Sequence, residues 1–266
     1  SKIIMRAVSA DSGSVHYTDN DGSIDVLSLN ERSLIDFRKK IQFIFQDPFS
    51  SLNPRMTVFD IISEPLVIHN IGDHEFRVKM VRELINLVGL DIRHLNRYPH
   101  SFSGGQRQRI GIARALALKP RVLICDEPVS ALDVSIQAQV LNLLKDLKDQ
   151  LALSYLFISH NLAVIDYIAD DVAVMCAGRI VEKAPRAELF KNPMHPYTKA
   201  LFSAVPSPSL DTRLDFKSIM DDRCSNPAEW EYPFTIQDGT PTKMLNTGSE
   251  HLVRVHESLS NLKIAS

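Results

Sequence analysis

The sequence predicts an α/β fold: a sheet core, a helical subdomain inserted near residues 47–115, and a small C-terminal extension over residues 209–266. Three observations carry this. Short apolar runs of buried-strand type recur at Ile41-Gln42-Phe43-Ile44-Phe45, Val122-Leu123-Ile124-Cys125 and Tyr155-Leu156-Phe157-Ile158. Between them, apolar residues fall at helical spacing: Val78, Val81, Leu84, Ile85 and Val88, then Ile136, Val140, Leu143, Leu144, Leu147 and Leu151. Each strand run ends in polar side chains, namely Gln46, Asp126-Glu127 and Ser159-His160, and the carboxyl ends of strands are where open α/β sheets bind ligands.

Composition narrows the class. The 266 residues are 44% hydrophobic and 23% charged, ordinary values for a globular protein able to bury a full core. A net charge of −2 gives no electrostatic reason to expect a nucleic-acid partner. Cys125, Cys176 and Cys224 are odd in number and far apart, without metal-ligand spacing, which points to a reduced, cytosolic setting. No apolar run approaches a membrane span, so a membrane role would come through a partner.

Taken in order, Ser1 to Val8 carries apolar residues at helical spacing and predicts a helix. Gly13 to Leu29 alternates short β-prone pieces with Asp/Asn/Gly turns and predicts an edge hairpin. The Ile41 run is predicted to reach Gln46, after which Gln46 to Pro54 is a Pro/Ser/Asn loop. Asp73 is the expected N-cap of the next helix and Gly89 its stop.

Ser103-Gly104-Gly105-Gln106 then turns directly onto a helix. Two residues without a Cβ let backbone N–H groups approach an anion, and the helix start adds unpaired donors. The Ser103 hydroxyl is a further donor to phosphate, and Arg107 and Arg109 read as a solvated basic face. After the next strand, Asp126 is placed to hold Mg²⁺ and Glu127 to polarise an attacking water. Asp133 stands where it would cap the following helix. Val172 to Val181 is a predicted hairpin turning at Ala177-Gly178, and beyond Pro208 the periodicity fades.

The stretch SFSGGQRQRIGIARALALKPRVLICDEPVSALD resembles the signature, Walker B and D-loop of the ATP-binding-cassette (ABC) ATPases. FQDPFSSLNPRMTV and NPMHPYT resemble the oligopeptide, dipeptide and nickel importers within that family. The resemblance implies a P-loop NTPase-like core that binds ATP and Mg²⁺ and hydrolyses ATP to drive import of peptides or a similar small solute. By it, Glu127 is the catalytic base and His160 a neutral imidazole donating to the γ-phosphate. Asp126 and Gln46 are associated with the metal, and Ser103, Gly104, Gly105, Gln106 and Asp133 belong to the ATP-binding clamp facing a partner subunit. Asn161 stands where many relatives carry Asp.

Ser1 falls at the last hydroxyl of the family's G-x-x-x-x-G-K-[ST] loop, and no other GK[ST] occurs in the sequence. The chain is therefore expected to be an ABC ATPase domain, residues 1–208, truncated just past that lysine. The implied partners are a second ABC ATPase subunit in a head-to-tail dimer, transmembrane permease subunits and, indirectly, an extracytoplasmic solute-binding protein. These place the subunit on the cytoplasmic face of the membrane. Two alternatives stay open: a half-site partner lending only its signature, and a soluble ABC ATPase of DNA-repair type. The interval from Gln46 to Ser103 shows no heptad run, which argues against the latter.

Overall fold

The computed structural model describes residues 1–47, 49–203, 226–237 and 239–259. The expected boundary at residue 208 and Cys224 lie outside them. The chain divides into two compact units, Ser1–His160 and Asn161–Ser266.

The first unit is built on three parallel strands, β3 (Ile41–Ile44), β4 (Val122–Asp126) and β5 (Ser154–Ile158), in the order β3-β4-β5. Leu123, Ile124 and Cys125 are fully buried, as a central parallel strand requires. Register aligns the strand ends: Ile44 lies opposite Cys125, and Asp126 opposite Ile158. That alignment brings Gln46, Asp126-Glu127 and His160 to one edge of the sheet. β3 stops at Ile44, two residues short of the expected Gln46, and Phe45 is half-exposed against Phe43.

Ahead of this sheet, β1 (His16–Asp19) and β2 (Gly22–Asp25) form the expected antiparallel hairpin. α1 (Glu31–Lys40) follows, capped by Asn30. Tyr17, Val26, Leu34, Phe37 and Ile41 form a small core, with Ile4 and Met5 packed on it.

The predicted helix over Ser1 to Val8 is replaced by a run of turns. Arg6 takes a left-handed φ of 48°. Arg38 donates from Nε to the Met5 carbonyl at 3.1 Å and from Nη2 to the Arg6 carbonyl at 3.0 Å, tying these turns to α1.

Between β3 and β4 lie α2 (Val58–Ile68), α3 (His74–Leu87) and α4 (Gly104–Leu116), the inserted helical region. Thr57 and Asp60 close a capping box on α2, and Asp73 caps α3 as expected. α3 ends before Gly89, whose φ of 71° needs a residue without a Cβ. Ile61, Ile62, Leu66, Val81, Ile85, Val88, Ile110 and Ile112 are fully buried. Burying each side chain of this size stabilises by about 1.5–3 kcal/mol, so the stripe is core rather than chemistry. α5 (Val134–Leu151) returns the chain to β5; it buries Val140, Leu141, Leu144 and Leu147, whereas Leu151 is exposed.

The second unit holds α6 (Leu162–Ile168), β6 (Asp171–Cys176), β7 (Arg179–Pro185), α7 (Arg186–Lys191) and α8 (Pro196–Ser203). β8 (Thr242–Asn246) and β9 (Leu252–His256) complete an antiparallel sheet in the order β6-β7-β9-β8. Ala177 and Gly178 both take positive φ, 47° and 76°, as a two-residue hairpin turn of this hand requires.

Its interior is organised by a buried carboxylate. Glu182 accepts from the backbone N–H of Met194 at 2.7 Å and of His195 at 3.1 Å, and pairs with His251 Nε2 at 2.7 Å. Burial pushes His195 down to about 4, so it is neutral, and it meets the Trp230 ring edge-on at 4.6 Å. Among the described residues no helix is long and apolar enough to cross a membrane.

Candidate functional site

Glu127 sits one residue beyond β4, where the chain reverses. Its φ is 47°, a left-handed conformation that costs a non-glycine residue about 1–2 kcal/mol. Three hydrogen bonds hold it there: Glu127 N–H to the Ile158 carbonyl at 2.9 Å, and Ser130 N–H and Oγ to the Glu127 carbonyl at 3.3 and 3.1 Å. The reversal takes the side chain out of strand alternation and into the site. Ser130 begins the Ser130-Ala131-Leu132-Asp133 turn legible in the sequence; its hold on Glu127 is seen only in the structure.

The carboxylate is held on both sides. Gln46 donates from Nε2 to Glu127 Oε2 at 2.7 Å, and His160 Nδ1 lies 2.9 Å from Oε1. The hydrogen bond from His160, first, and then its charge hold the Glu127 carboxyl below the ordinary glutamate range. An ionised carboxylate only accepts, which assigns the proton of that contact to Nδ1. The Glu127 side chain keeps 23% of its surface exposed and that of His160 73%, so the pair is open to solvent.

Beside it, Ser1 Oγ donates to Asp126 Oδ2 at 3.1 Å. A hydroxyl and a carboxylate in contact, with Gln46 bonded to the neighbouring Glu127, offer hard oxygens of the kind Mg²⁺ takes alongside phosphate oxygens. The residues present therefore fit the metal. Among the described residues no cluster of three or more His, Cys, Asp or Glu offers an all-protein metal cage, which Mg²⁺ with a nucleotide does not need.

The second group of expected residues stands on α4. Ser103 is its N-cap: the Gln106 N–H donates to Ser103 Oγ at 3.4 Å, and the Ser103 N–H to Gln106 Oε1 at 3.1 Å. The Ser103 hydroxyl keeps its own O–H to donate. The glycines also answer to packing. A Cβ on Gly105 would lie 2.3 Å from Ile136 Cγ2, and one on Gly104 3.1 Å from Leu132 Cδ2.

Arg107 and Arg109, read above as a solvated face, are instead clamps on carbonyls: Arg107 Nε reaches Phe102 O at 2.9 Å and Arg109 Nη1 reaches Val88 O at 2.7 Å. Asp133 occupies the N-cap position of α5 but its carboxylate makes no cap hydrogen bond. The structure thus brings together two hydrogen-bonded groups at consecutive residues, Ser1–Asp126 and Gln46–Glu127–His160, and holds Ser103 to Gln106 in another.

A family model described as ABC transporter matches residues 1–130, and one described as the C-terminal region of oligopeptide/dipeptide transporters matches residues 181–226. A putative peptide import ATP-binding protein of Brucella ovis is 50% identical over 219 residues, covering 82% of this chain and 68% of that protein. The chain belongs to the peptide-import branch of the ABC transporter ATP-binding proteins.

The oligopeptide transport ATP-binding protein OppF of Bacillus subtilis is 57% identical over 183 residues, covering 68% of this chain and 60% of its own length. The chain thus spans roughly three fifths to two thirds of these relatives. Among solved structures, the dimeric ATP-binding cassette MJ0796 in a post-hydrolysis state with ADP and Pi matches with a TM-score of 0.60 and 29% identity. That match covers 70% of this chain and 78% of MJ0796.

One expectation is corrected. The ABC transporter model aligns from the first residue, so Ser1 and the turns after it are part of the matched domain, and N-terminal truncation drops out of the assignment.

Proposed function

We propose that this chain binds MgATP, pairs head to tail with a second ATP-binding subunit, and hydrolyses ATP to drive import of peptides or similar small solutes through permease subunits. The carrying observation is the Glu127 carboxylate gripped between Gln46 and His160, adjacent to the Ser1–Asp126 pair. Peptides as cargo rest on the similarity to peptide-import relatives, and the peripheral cytoplasmic-face placement on the permease partnership.

In this reading Glu127 accepts the proton of the attacking water while Gln46 and His160 fix its carboxylate plane. Asp126 and Ser1 would hold Mg²⁺, which supplies charge neutralisation to the phosphates when bound. Phosphoryl transfer gains mainly from such positioning and electrostatics. With Nδ1 turned to Glu127, His160 has Nε2 left to meet a phosphate oxygen.

The test is ATP hydrolysis and uptake of a labelled peptide by the full-length protein assembled with its permease subunits in vesicles. Hydrolysis without peptide uptake would overturn the cargo, and no MgATP hydrolysis would overturn the activity.

A pH dependence follows with a definite sign. Glu127 works as the carboxylate, and His160 lowers its pKa, so turnover persists as pH falls until that lowered value is crossed. Removing the main lowering group with His160→Ala should shift the acid limb of the kcat profile to higher pH while reducing its plateau. An acid limb that stays in place would show that His160 does not tune Glu127.

A further inference from the structure

Two segments carrying different parts of the proposed chemistry are tied together by arginines. The loop after β3 bears Gln46, which bonds Glu127; α4 begins at the Ser103 cap. Arg107, in the first turns of α4, lays its guanidinium over the Phe49 ring at 4.2 Å from the centroid, well inside cation–π range. Its Nε and Nη2 donate to Phe102 O and His100 O at 2.9 and 3.4 Å. The plane is thus fixed from the helix side while its face meets the loop.

Seven positions further on, hence on the same helix face, Arg114 donates from Nη1 to the Ser51 carbonyl at 2.7 Å. The Arg114 guanidinium also lies 5.9 Å from the Phe45 ring centroid. Burial lowers its pKa, with the Glu64 charge opposing, so this is a guanidinium taken partly out of water to bind a loop carbonyl. Phe49 additionally stands over the cap: a Cβ on Gly104 would be 3.8 Å from its ring. Phe45, Phe49 and Ser51 therefore touch α4 along its length, from the cap to Arg114.

We propose that Arg107 and Arg114 lock the Phe49 and Ser51 part of the loop onto α4, so that the loop carrying Gln46 and the cap carrying Ser103 shift as one body. They are positioning residues: neither touches the reacting atoms. A pull on the loop is then delivered at once to the Gln46–Glu127 contact and to the clamp. The use of the lock in turnover rests on the ATPase reading; its existence does not.

Hydrogen exchange on the full-length, nucleotide-free protein reads the lock without catalysis. Losing a hydrogen bond from a charged donor, Arg114→Met should speed exchange roughly ten-fold at residues 49–53 and 103–107 together. α3 and β4 should keep their protection. Phe49→Leu and Arg107→Lys should each loosen the same two segments, and the double variant no more than Arg107→Lys alone, because the arginine change already removes the contact with Phe49. Exchange that rises in the loop alone, or effects that add, would overturn the lock. Should Arg114→Met fail to fold, the Phe49–Arg107 cycle decides.

In the assembled transporter, Arg107→Lys and Phe49→Leu should lower kcat by roughly five- to twenty-fold with KM for MgATP within about two-fold. A raised KM at unchanged kcat would overturn the positioning role. If the unaltered assembly hydrolyses no ATP, the ATPase reading falls and the exchange cycle still decides the lock.

Discussion

Glu127→Gln is expected to keep nucleotide binding and cut ATP turnover by roughly 10²–10⁴-fold, the usual range for losing a positioned general base. The amide has the shape of the carboxylate. Its oxygen can still accept from His160, and its –NH2 can meet Gln46 once that amide turns its own oxygen inward; these partners lie 2.9 and 2.7 Å from the two Glu127 oxygens. The left-handed turn is also spared, because its hydrogen bonds run through the Glu127 backbone and Ser130. What is lost is the ability to take a proton. Phosphate release measured beside fluorescent-nucleotide binding on the full-length protein separates the two, and near-normal turnover in this variant would move the base elsewhere.

Ser103→Arg is expected to abolish hydrolysis in the ATP site that this chain completes for its partner. The substitution removes a cap whose loss costs a helix about 1 kcal/mol. It also places bulk and charge beside Gly104, where Leu132 and Phe49 already crowd the backbone. The proposed head-to-tail pairing makes the expected effect one-sided. With only this chain altered, Ser103→Arg should silence the partner's site, whereas Glu127→Gln in the same chain should leave that site working. Single-turnover measurements on a dimer with one altered subunit distinguish them. Ser103→Thr keeps a capping hydroxyl and should retain most of the activity, which separates chemistry from helix stability. The opposite pattern, with Glu127→Gln killing the partner's site and Ser103→Arg silent, would show that the pairing assignment is wrong.

The sequence by itself determined the elements and the chemical vocabulary of the candidate site. Val122 to Cys125, Tyr155 to Ile158 and the α3 stripe announce themselves because burial selects apolar residues at the period of the element. Asp73, Ser103 and the Ala177-Gly178 turn are legible because caps and left-handed turns depend on a few neighbouring residues. A polar residue closing an apolar strand is ordinary by itself; Asp126, Glu127, Gln46 and His160 stand out through the resemblance of their motifs to those of the ABC ATPases.

Only the tertiary structure decided how these parts meet. Parallel register puts Ile44 beside Cys125 and Asp126 beside Ile158, and no local pattern encodes which strands become neighbours. The first eight residues carry a helical pattern yet form turns, with Arg6 in the left-handed region and Arg38 holding two of their carbonyls from 32 and 33 positions away. Arg107 and Arg109 look like a solvated basic face in one dimension, and nothing in the sequence singles out Arg114. Their partners are backbone carbonyls and an aromatic ring, groups every loop contains, so nothing in the sequence marks which ones they choose. The Glu182–His251 pair spans 69 positions and draws the C-terminal hairpin onto β7. Periodicity and caps are short-range and leave a trace in sequence; polar pairing across the chain depends on where the backbone has already been folded, and is fixed only there.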